Sequence, residues 1–325
     1  MTRNESDKIY YMKAVAIMFV VCAHCSYVPS GANYISQITS NYIGTLGCMG
    51  VPLFLFLSGY VFRWKKIKEF THQKLINTVY PWFVCGTFVY FYVYLRKGDL
   101  GLNSYLNWIF GINSYLWYMP VQIIVWCIAE IIYAISRKNR VFSMTLIGLI
   151  SIFVLLLEDG IGIRMHPYID PFRWFWIFAL GCIAQEKDLL NGKYEIKYDF
   201  FMVYIMLLGI LSICGMKQIT YWDKGFMGVV AISLLMVICH RNRFEKILSF
   251  GILVGKKSFS VYLLHMPIAG IVVNILNRVN DKTGMLVLIR PLLILGITMS
   301  LISVFEYIIR KISKSECILM AIGIR

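Results

Sequence analysis

The fold is decided by residues 10–27, which read YYMKAVAIMFVVCAHCSY. Almost every side chain there is apolar or aromatic, and the run is about as long as a helix that crosses a bilayer. Lys13 and His24 are eleven residues apart, almost three whole turns, so they share one helix face about 16 Å apart. An ionisable side chain inside a membrane helix indicates function by default, and imidazole is suited to moving protons. The stretch predicts chemistry done across a membrane.

The rest of the chain repeats this apolar pattern. The 325 residues are 59% hydrophobic and 15% charged, with a mean hydropathy of +0.68, whereas soluble domains carry more charge. Ten runs approach the ~20 residues that cross a bilayer. They are 10–28, 43–62, 76–95, 115–135, 141–157, 172–185, 199–216, 224–239, 259–276 and 285–309. We therefore predict an all-α, polytopic integral membrane helical bundle, with residues 1–325 forming a single transmembrane domain.

The distribution of Lys and Arg predicts the orientation of the bundle. With the N-terminus inside, the inside segments hold 22 of the 32 Lys and Arg residues and the outside loops hold 7. This bias follows the positive-inside rule, so both termini are predicted to be cytoplasmic. The net charge of +15 is then explained by this bias and by anionic lipid headgroups, with or without an anionic cytoplasmic ligand. No nucleic-acid partner is needed.

The nine cysteines lie mostly inside the spans and are interpreted as small apolar residues. Cys22, His24 and Cys25 superficially resemble a metal cluster, but on a helix residues 22 and 24 point to different faces. We therefore predict no metal site.

The second predicted span contains Pro52 and the pair Ser58-Gly59, and a group of cations follows it. A mid-span proline frees a backbone carbonyl, and Ser-Gly permits close helix contact, which also fits a kinked packing helix. The cations are Arg63, Lys65, Lys66 and Lys68. Such a cluster can bind phosphates, although an ordinary inside loop has the same composition.

Aromatic and ionisable residues mark the other candidate segments. Trp117 and Tyr118 lie at the start of the fourth span. They could belong to the aromatic belt at the membrane interface or form a stacking surface for a sugar ring. The outside loop 158–173 contains His166 and Arg173, and could be a solvated loop or a place to meet a hydrophilic acceptor. His265 is a second intramembrane histidine, for packing or for chemistry. Glu130 could pair with a cation or lie near the inner interface, Arg290 is a buried or snorkelling cation, and Glu306 could pair with an inside cation. The sequence assigns no functional role to these three.

Five segments together resemble the integral-membrane acyltransferase family 3, which includes bacterial O-acetyltransferases. They are Lys13…His24 for the basic-x10-His signature, Val51–Tyr60, Trp117–Pro120, Arg173–Gly181 and Ser258–Pro267. The order of these segments and the predicted topology agree with the family over nearly the whole chain. The family usually has Arg where this chain has Lys13, and lysine keeps the charge but loses the bidentate fork.

The resemblance implies transfer of an acyl group, normally acetyl, from cytoplasmic acyl-CoA to a hydroxyl of an extracytoplasmic or lipid-linked glycan. The expected location is the bacterial cytoplasmic membrane. His24 would be the general base or the acyl acceptor, His265 a relay or first acyl acceptor, and Tyr118 or Arg173 the oxyanion donor. The acyl-CoA-binding candidates are Lys13, Arg63, Lys65 and Lys66. The acceptor-binding candidates are Trp117, Arg173 and His166.

In this reading acetyl-CoA is a substrate and no cofactor is bound. Membrane lipids are further partners, and the oligomeric state is open. A proton-coupled transporter is the main alternative, because intramembrane His, Arg and Glu residues and proline-broken helices fit a carrier as well. A non-catalytic component of a polysaccharide assembly complex is the other alternative. The sequence names neither the acceptor nor the acyl chain.

Overall fold

The computed structural model describes residues 3–63, 67–95, 98, 100–136, 139–161, 168–188, 221–240, 245–279, 283–313 and 315–324. The regular secondary structure within these ranges is entirely helical, which confirms the all-α class. The α-helices are α1 Arg3–Cys25, α2 Tyr34–Gly47, α3 Gly50–Tyr60, α4 Ile67–Lys74, α5 Tyr80–Tyr94, α6 Leu102–Ile109, α7 Tyr118–Ile135, α8 Arg140–Ile161, α9 Phe172–Glu186, α10 Tyr221–His240, α11 Glu245–Lys256, α12 Ser258–Leu276, α13 Met285–Ile312 and α14 Glu316–Ala321. A π-helical turn, Leu75–Val79, joins α4 to α5, and a 3₁₀ turn, Tyr115–Trp117, precedes α7.

Six helical segments of the described chain are long and apolar enough to cross a membrane, and each matches a predicted span. They are Arg3–Cys25, Tyr34–Tyr60, Tyr115–Ile135, Arg140–Glu158, Ser258–Leu276 and Met285–Ile312. The predicted spans 76–95 and 172–185 coincide with α5 and α9, which have 15 residues each, and 224–239 lies within α10. The predicted span 199–216 lies outside the described residues. The total of ten spans and the cytoplasmic termini stay predictions.

The described chain divides into two compact units. The first comprises Met1–Phe54 and Leu189–Ser300. In this unit α1 packs against α2, α11 and α12. A side chain at Gly255 would collide with the backbone carbonyl of Tyr10, so α11 meets α1 backbone to backbone. Membrane helices pack closely through such small residues, and the contact holds the end of α11 beside the part of α1 that carries Lys13.

The second unit comprises Leu55–Asp188 and Leu301–Arg325. Here α9 packs along α8 and also meets the end of α3 through two glycines. A side chain at Gly59 would strike the carbonyl of Phe178, and one at Gly181 would strike the carbonyl of Phe56. The close helix contact predicted from Ser58-Gly59 is therefore confirmed.

The helix after the first span begins earlier than predicted. The predicted second span starts at residue 43, whereas α2 starts at Tyr34. The Asn33 side chain accepts a hydrogen bond from the backbone N–H of Ser36 at 2.9 Å, which caps the helix. An asparagine in this position is a start signal, so the boundary was readable from sequence. Only residues 26–33 link α1 to α2.

Candidate functional site

Two histidines meet in the first unit. His24 lies near the end of α1 and His265 in the first half of α12. Their ring centroids are 5.2 Å apart and the rings are tilted by 49°. His265 is fully buried and His24 is half-buried. The fold thus brings together the two intramembrane histidines, which are 241 positions apart in the sequence.

The backbone of α12 fixes the orientation of His265. Its Nδ1 lies 2.9 Å from the carbonyl oxygen of Tyr262 and 3.1 Å from that of Val261. A carbonyl oxygen can only accept, so Nδ1 carries the proton and Nε2 carries the lone pair. Fixing one ring nitrogen in this way determines which nitrogen can act as a base.

A cleft of about 550 Å³ opens beside His24. Residues from the end of α1, from the link that follows it and from α2 line the cleft, and most of them are polar. They are Ala23, His24, Ser26, Tyr27, Val28, Gln37, Ser40 and Asn41. The volume lies within the usual range for small-molecule sites. Hydroxyl and amide side chains can hydrogen-bond a polar molecule that reaches the His24 ring.

A second cleft, of about 220 Å³, borders the same connection and is lined in part by Arg290 of α13. The guanidinium is 2% exposed. Its Nη1 donates to the carbonyl oxygen of Tyr27 at 2.7 Å, and its Nη2 donates to Oδ1 of Asn277 at 2.6 Å. The sequence assigned no role to Arg290, and the structure bonds it to the segment that follows His24.

Two lysines flank one aromatic ring nearer the start of α1. The Nζ atoms of Lys13 and Lys256 each lie 5.7 Å from the centroid of the Tyr10 ring. These distances are within the range of cation–π attraction. Lys256, at the end of α11, was counted in the sequence only as one of many inside cations. The structure therefore gives Lys13 a cationic neighbour about three helical turns from His24.

The comparisons with known proteins agree with this arrangement of motifs. The model of the acyltransferase family 3, described as an acyltransferase domain, matches residues 7–305. The chain belongs to acyltransferase family 3. It is thereby a member of a family of membrane O-acyltransferases, as its five motifs predicted. Comparison with curated proteins and with solved structures gave no match.

The second unit of this acyltransferase contains Trp117 and Tyr118. The Trp117 ring lies 5.1 Å from that of Tyr168 and 5.5 Å from that of Trp174, measured between centroids. The hydroxyl of Tyr118 donates to Oε1 of Gln122, one turn further along α7, at 2.5 Å. The aromatic cluster packs the 3₁₀ turn before α7 against Tyr168 and the start of α9. Acceptor binding by Trp117 and an oxyanion role for Tyr118 stay predictions.

Arg173 is buried within a group of carboxylates in the second unit. Its Nε donates to Oε2 of Glu158 at 2.7 Å and lies 3.6 Å from Oδ2 of Asp170. Arg173 is 3% exposed, and Asp170 is also buried. These contacts tie α8 to α9, while Tyr168 in the same loop is exposed. The predicted contact of Arg173 with the acceptor or oxyanion stays a prediction.

The remaining predicted site residues are only partly described. Arg63 donates through Nη1 to the carbonyl oxygens of Tyr60 and Phe62, at 2.9 and 3.1 Å, and so caps the end of α3. Its side chain is otherwise exposed. Lys65, Lys66 and His166 lie outside the described residues.

The two acidic residues left unassigned by sequence differ in their surroundings. Glu306 accepts a hydrogen bond from Nε of Arg310 at 3.0 Å, as an i,i+4 surface pair. Glu130 is buried, and neither carboxylate oxygen has a hydrogen-bond partner within the described ranges. One turn before it, the ring of Trp126 lies 3.4 Å from Nζ of Lys74. In the part of the chain that the structure describes, no group of three His, Cys, Asp or Glu residues could hold a metal ion.

Proposed function

We propose that this acyltransferase moves an acetyl group from cytoplasmic acetyl-CoA to a hydroxyl of an extracytoplasmic or lipid-linked glycan, in the cytoplasmic membrane of a bacterium. The observation that carries the proposal is the contact between His265 and His24, of which His24 lines a polar cleft. A base beside a cleft that can hold a sugar is what O-acyl transfer requires. No cofactor enters this reaction.

In the direct route His24 takes the proton of the acceptor hydroxyl while the hydroxyl oxygen attacks the thioester carbonyl carbon. The carbon–sulfur bond breaks, and the CoA thiolate receives the proton from the imidazolium. The products are an acetyl ester and free CoA. His265 supports this step because its ring lies against that of His24 and its Nε2 can share the proton.

In the second route His24 is the nucleophile. A ring nitrogen attacks the thioester, the CoA thiolate leaves, and the acetyl-imidazolium transfers its ring proton to Nε2 of His265. The acceptor hydroxyl then attacks the acetyl carbon and the carbon–nitrogen bond to His24 breaks. His265 returns its proton to His24, and the proton of the hydroxyl neutralises the CoA thiolate, so the products are again an acetyl ester and free CoA. The two routes differ in one observable, since only the second gives a labelled protein from [¹⁴C]acetyl-CoA without acceptor.

The acetyl-CoA phosphates are proposed to bind the cations near the start of α1. Lys13 and Lys256 surround the ring of Tyr10, so two ammonium groups replace the guanidinium that the family usually has. Point charges of this kind attract phosphates without the bidentate fork. The thioester arm would extend along α1 toward His24, about 16 Å away by helix rise.

The test is acetyl-CoA-dependent release of free CoA by the purified protein in nanodiscs, with and without a cell-envelope glycan extract. We expect release that the extract stimulates, together with acetyl esters in the extract. The His24→Ala variant should lose both. His72→Ala is the matched control, because His72 is exposed on α4.

Two results would contradict the proposal. Full turnover in a folded His24→Ala protein would remove the central residue. Absence of CoA release by the wild type under every condition would favour a carrier, because transport does not cleave a thioester.

A further inference from the structure

The cleft beside Arg290 has the chemistry of an anion-binding site. Four polar residues from three segments contribute to its lining, beside apolar residues, proline and glycine; they are Asn33, Ser36, Asn277 and Arg290. Two guanidinium N–H groups bond to uncharged oxygens, those of Tyr27 and Asn277, which hold the guanidinium plane in place. A guanidinium fixed in a poorly solvated wall attracts a carboxylate or phosphate more strongly than one in water.

This cleft is next to the one that contains His24. Both are lined by Val28. Arg290 donates a hydrogen bond to the carbonyl oxygen of Tyr27. Tyr27 is three residues after His24, so the Cα atoms of His24 and Tyr27 are at most about 11 Å apart. A molecule that places a hydroxyl at His24 can therefore place a second group at Arg290.

We infer that the acceptor carries an anionic group, a carboxylate or a phosphate, close to the hydroxyl that is acetylated, and that Arg290 binds this group. The inference rests on the proposed function and narrows its acceptor to acidic glycans. Arg290 then sets specificity, while His24 and His265 do the chemistry. The same oxyanion chemistry also occurs in phospholipid headgroups, which the experiment must separate from the acceptor.

The experiment uses two probes that differ in one substituent, which is charged in only one of them. p-Nitrophenyl β-glucuronide has a carboxylate where p-nitrophenyl β-glucoside has a hydroxymethyl group. Each competes with the glycan extract for [¹⁴C]acetyl in nanodiscs of phosphatidylcholine, and the measured quantity is the ratio of the two inhibition constants. We expect the glucuronide to inhibit the wild type more strongly, and Arg290→Gln to reduce that preference by about 10- to 100-fold.

Three further variants separate charge recognition from folding. Arg290→Lys should retain part of the preference because it keeps the charge. Asn277→Asp should reduce the preference without removing Arg290, because it places a carboxylate beside Nη2. Arg278→Gln is the matched control, since it removes an exposed arginine from the neighbouring turn, and it should leave the ratio unchanged.

Several outcomes would overturn the inference. Inhibition by neither probe, equal inhibition by both in the wild type, or an equal effect of Arg290→Gln on both would show that Arg290 does not recognise a charged acceptor. An unchanged probe ratio, with altered dependence on added phosphatidylglycerol, would assign Arg290 to a lipid headgroup. If the wild type acetylates no extract and releases no CoA, the proposed function fails as well.

Discussion

Buried ionisable groups are partnered differently in the two units of this acyltransferase. In the first unit His265 bonds to backbone carbonyls and its ring meets that of His24, which borders a cleft. In the second unit Arg173 is bound by the carboxylates of Glu158 and Asp170. A charge neutralised by its own neighbours joins helices, whereas a ring held beside a cleft can react with a substrate. We therefore expect substitutions in the first unit to change turnover and substitutions in the second unit to change stability.

Substitution of His24 should have the largest effect on turnover. A positioned general base contributes about 10²- to 10⁴-fold, so kcat for CoA release by His24→Ala should fall by about that factor. The thermal unfolding midpoint in nanodiscs should stay close to that of the wild type, because His24 is half-buried beside open space. If His24→Ala instead lowered stability and left kcat per folded molecule unchanged, His24 would have a structural role and not a catalytic one.

Substitution of Arg173 should have the opposite signature. Arg173→Gln leaves the buried Asp170 and the partly buried Glu158 without their cation, and breaking a buried ion pair costs about 3–5 kcal/mol. We expect a lower thermal unfolding midpoint, while the folded fraction keeps most of its kcat. Arg278→Gln, an exposed substitution, should change neither. A stable Arg173→Gln protein with a raised acceptor KM would instead support the acceptor-binding role.

Substitution of His265 tests whether His24 and His265 act together in proton transfer. Glutamine can keep a hydrogen bond but cannot take up a proton, so His265→Gln should reduce kcat by about 10- to 100-fold, less than loss of His24. Tyr262→Phe keeps the neighbouring ring and should change kcat little. Equal kcat values for wild type and folded His265→Gln would leave His24 acting alone.

The lysines around Tyr10 should affect donor binding rather than chemistry. Lys13→Ala and Lys256→Ala should each raise the acetyl-CoA KM by about tenfold, at the lower end for a charge-assisted hydrogen bond. Lys13→Arg should leave the acetyl-CoA KM unchanged or lower it, because arginine supplies a bidentate guanidinium. Lys257→Ala, one residue further, is the control. If Lys257→Ala raises the KM as much as Lys256→Ala does, binding depends on total charge and not on this pair.

The smallest effect is expected at Glu306. Exposed i,i+4 ion pairs contribute about 0.3–0.5 kcal/mol, so Glu306→Gln should lower the unfolding midpoint only slightly and leave kcat and KM unchanged. A large loss of activity would show that this surface pair has a role that its geometry does not indicate.

The sequence predicts individual helices better than it predicts their partners. The apolar runs anticipate six long helices, whereas the functional role of the motif Lys13…His24 stays a prediction. Apolar periodicity says nothing about which distant helix lies opposite, so the contact between His24 and His265 required the fold. For the same reason the sequence did not distinguish Lys256 from the other inside cations. The close contact between Gly255 and the backbone of Tyr10 places Lys256 beside the Tyr10 ring.

The segments around the clefts show a second limit. Arg173, Glu158 and Asp170 read as a polar loop, because sequence does not reveal that opposite charges will close on one another in a buried place. Arg290 read only as a cation in a span, because its partners Tyr27 and Asn277 lie 263 and 13 positions away. The start of α2 at Tyr34 could have been predicted, since Asn33 is a standard cap.

The anchoring of His265 has a bioenergetic consequence. Two histidines in contact inside a membrane protein could conduct protons from one to the other and so dissipate the proton gradient of the cell. In this protein Nδ1 of His265 is bonded to the carbonyl oxygens of Val261 and Tyr262, which are far too weak as bases to take its proton onward. A proton that reaches Nε2 must therefore leave by the side from which it came. Under the proposed function, acetyl transfer at His24 would therefore not be accompanied by a proton leak through the His265 ring.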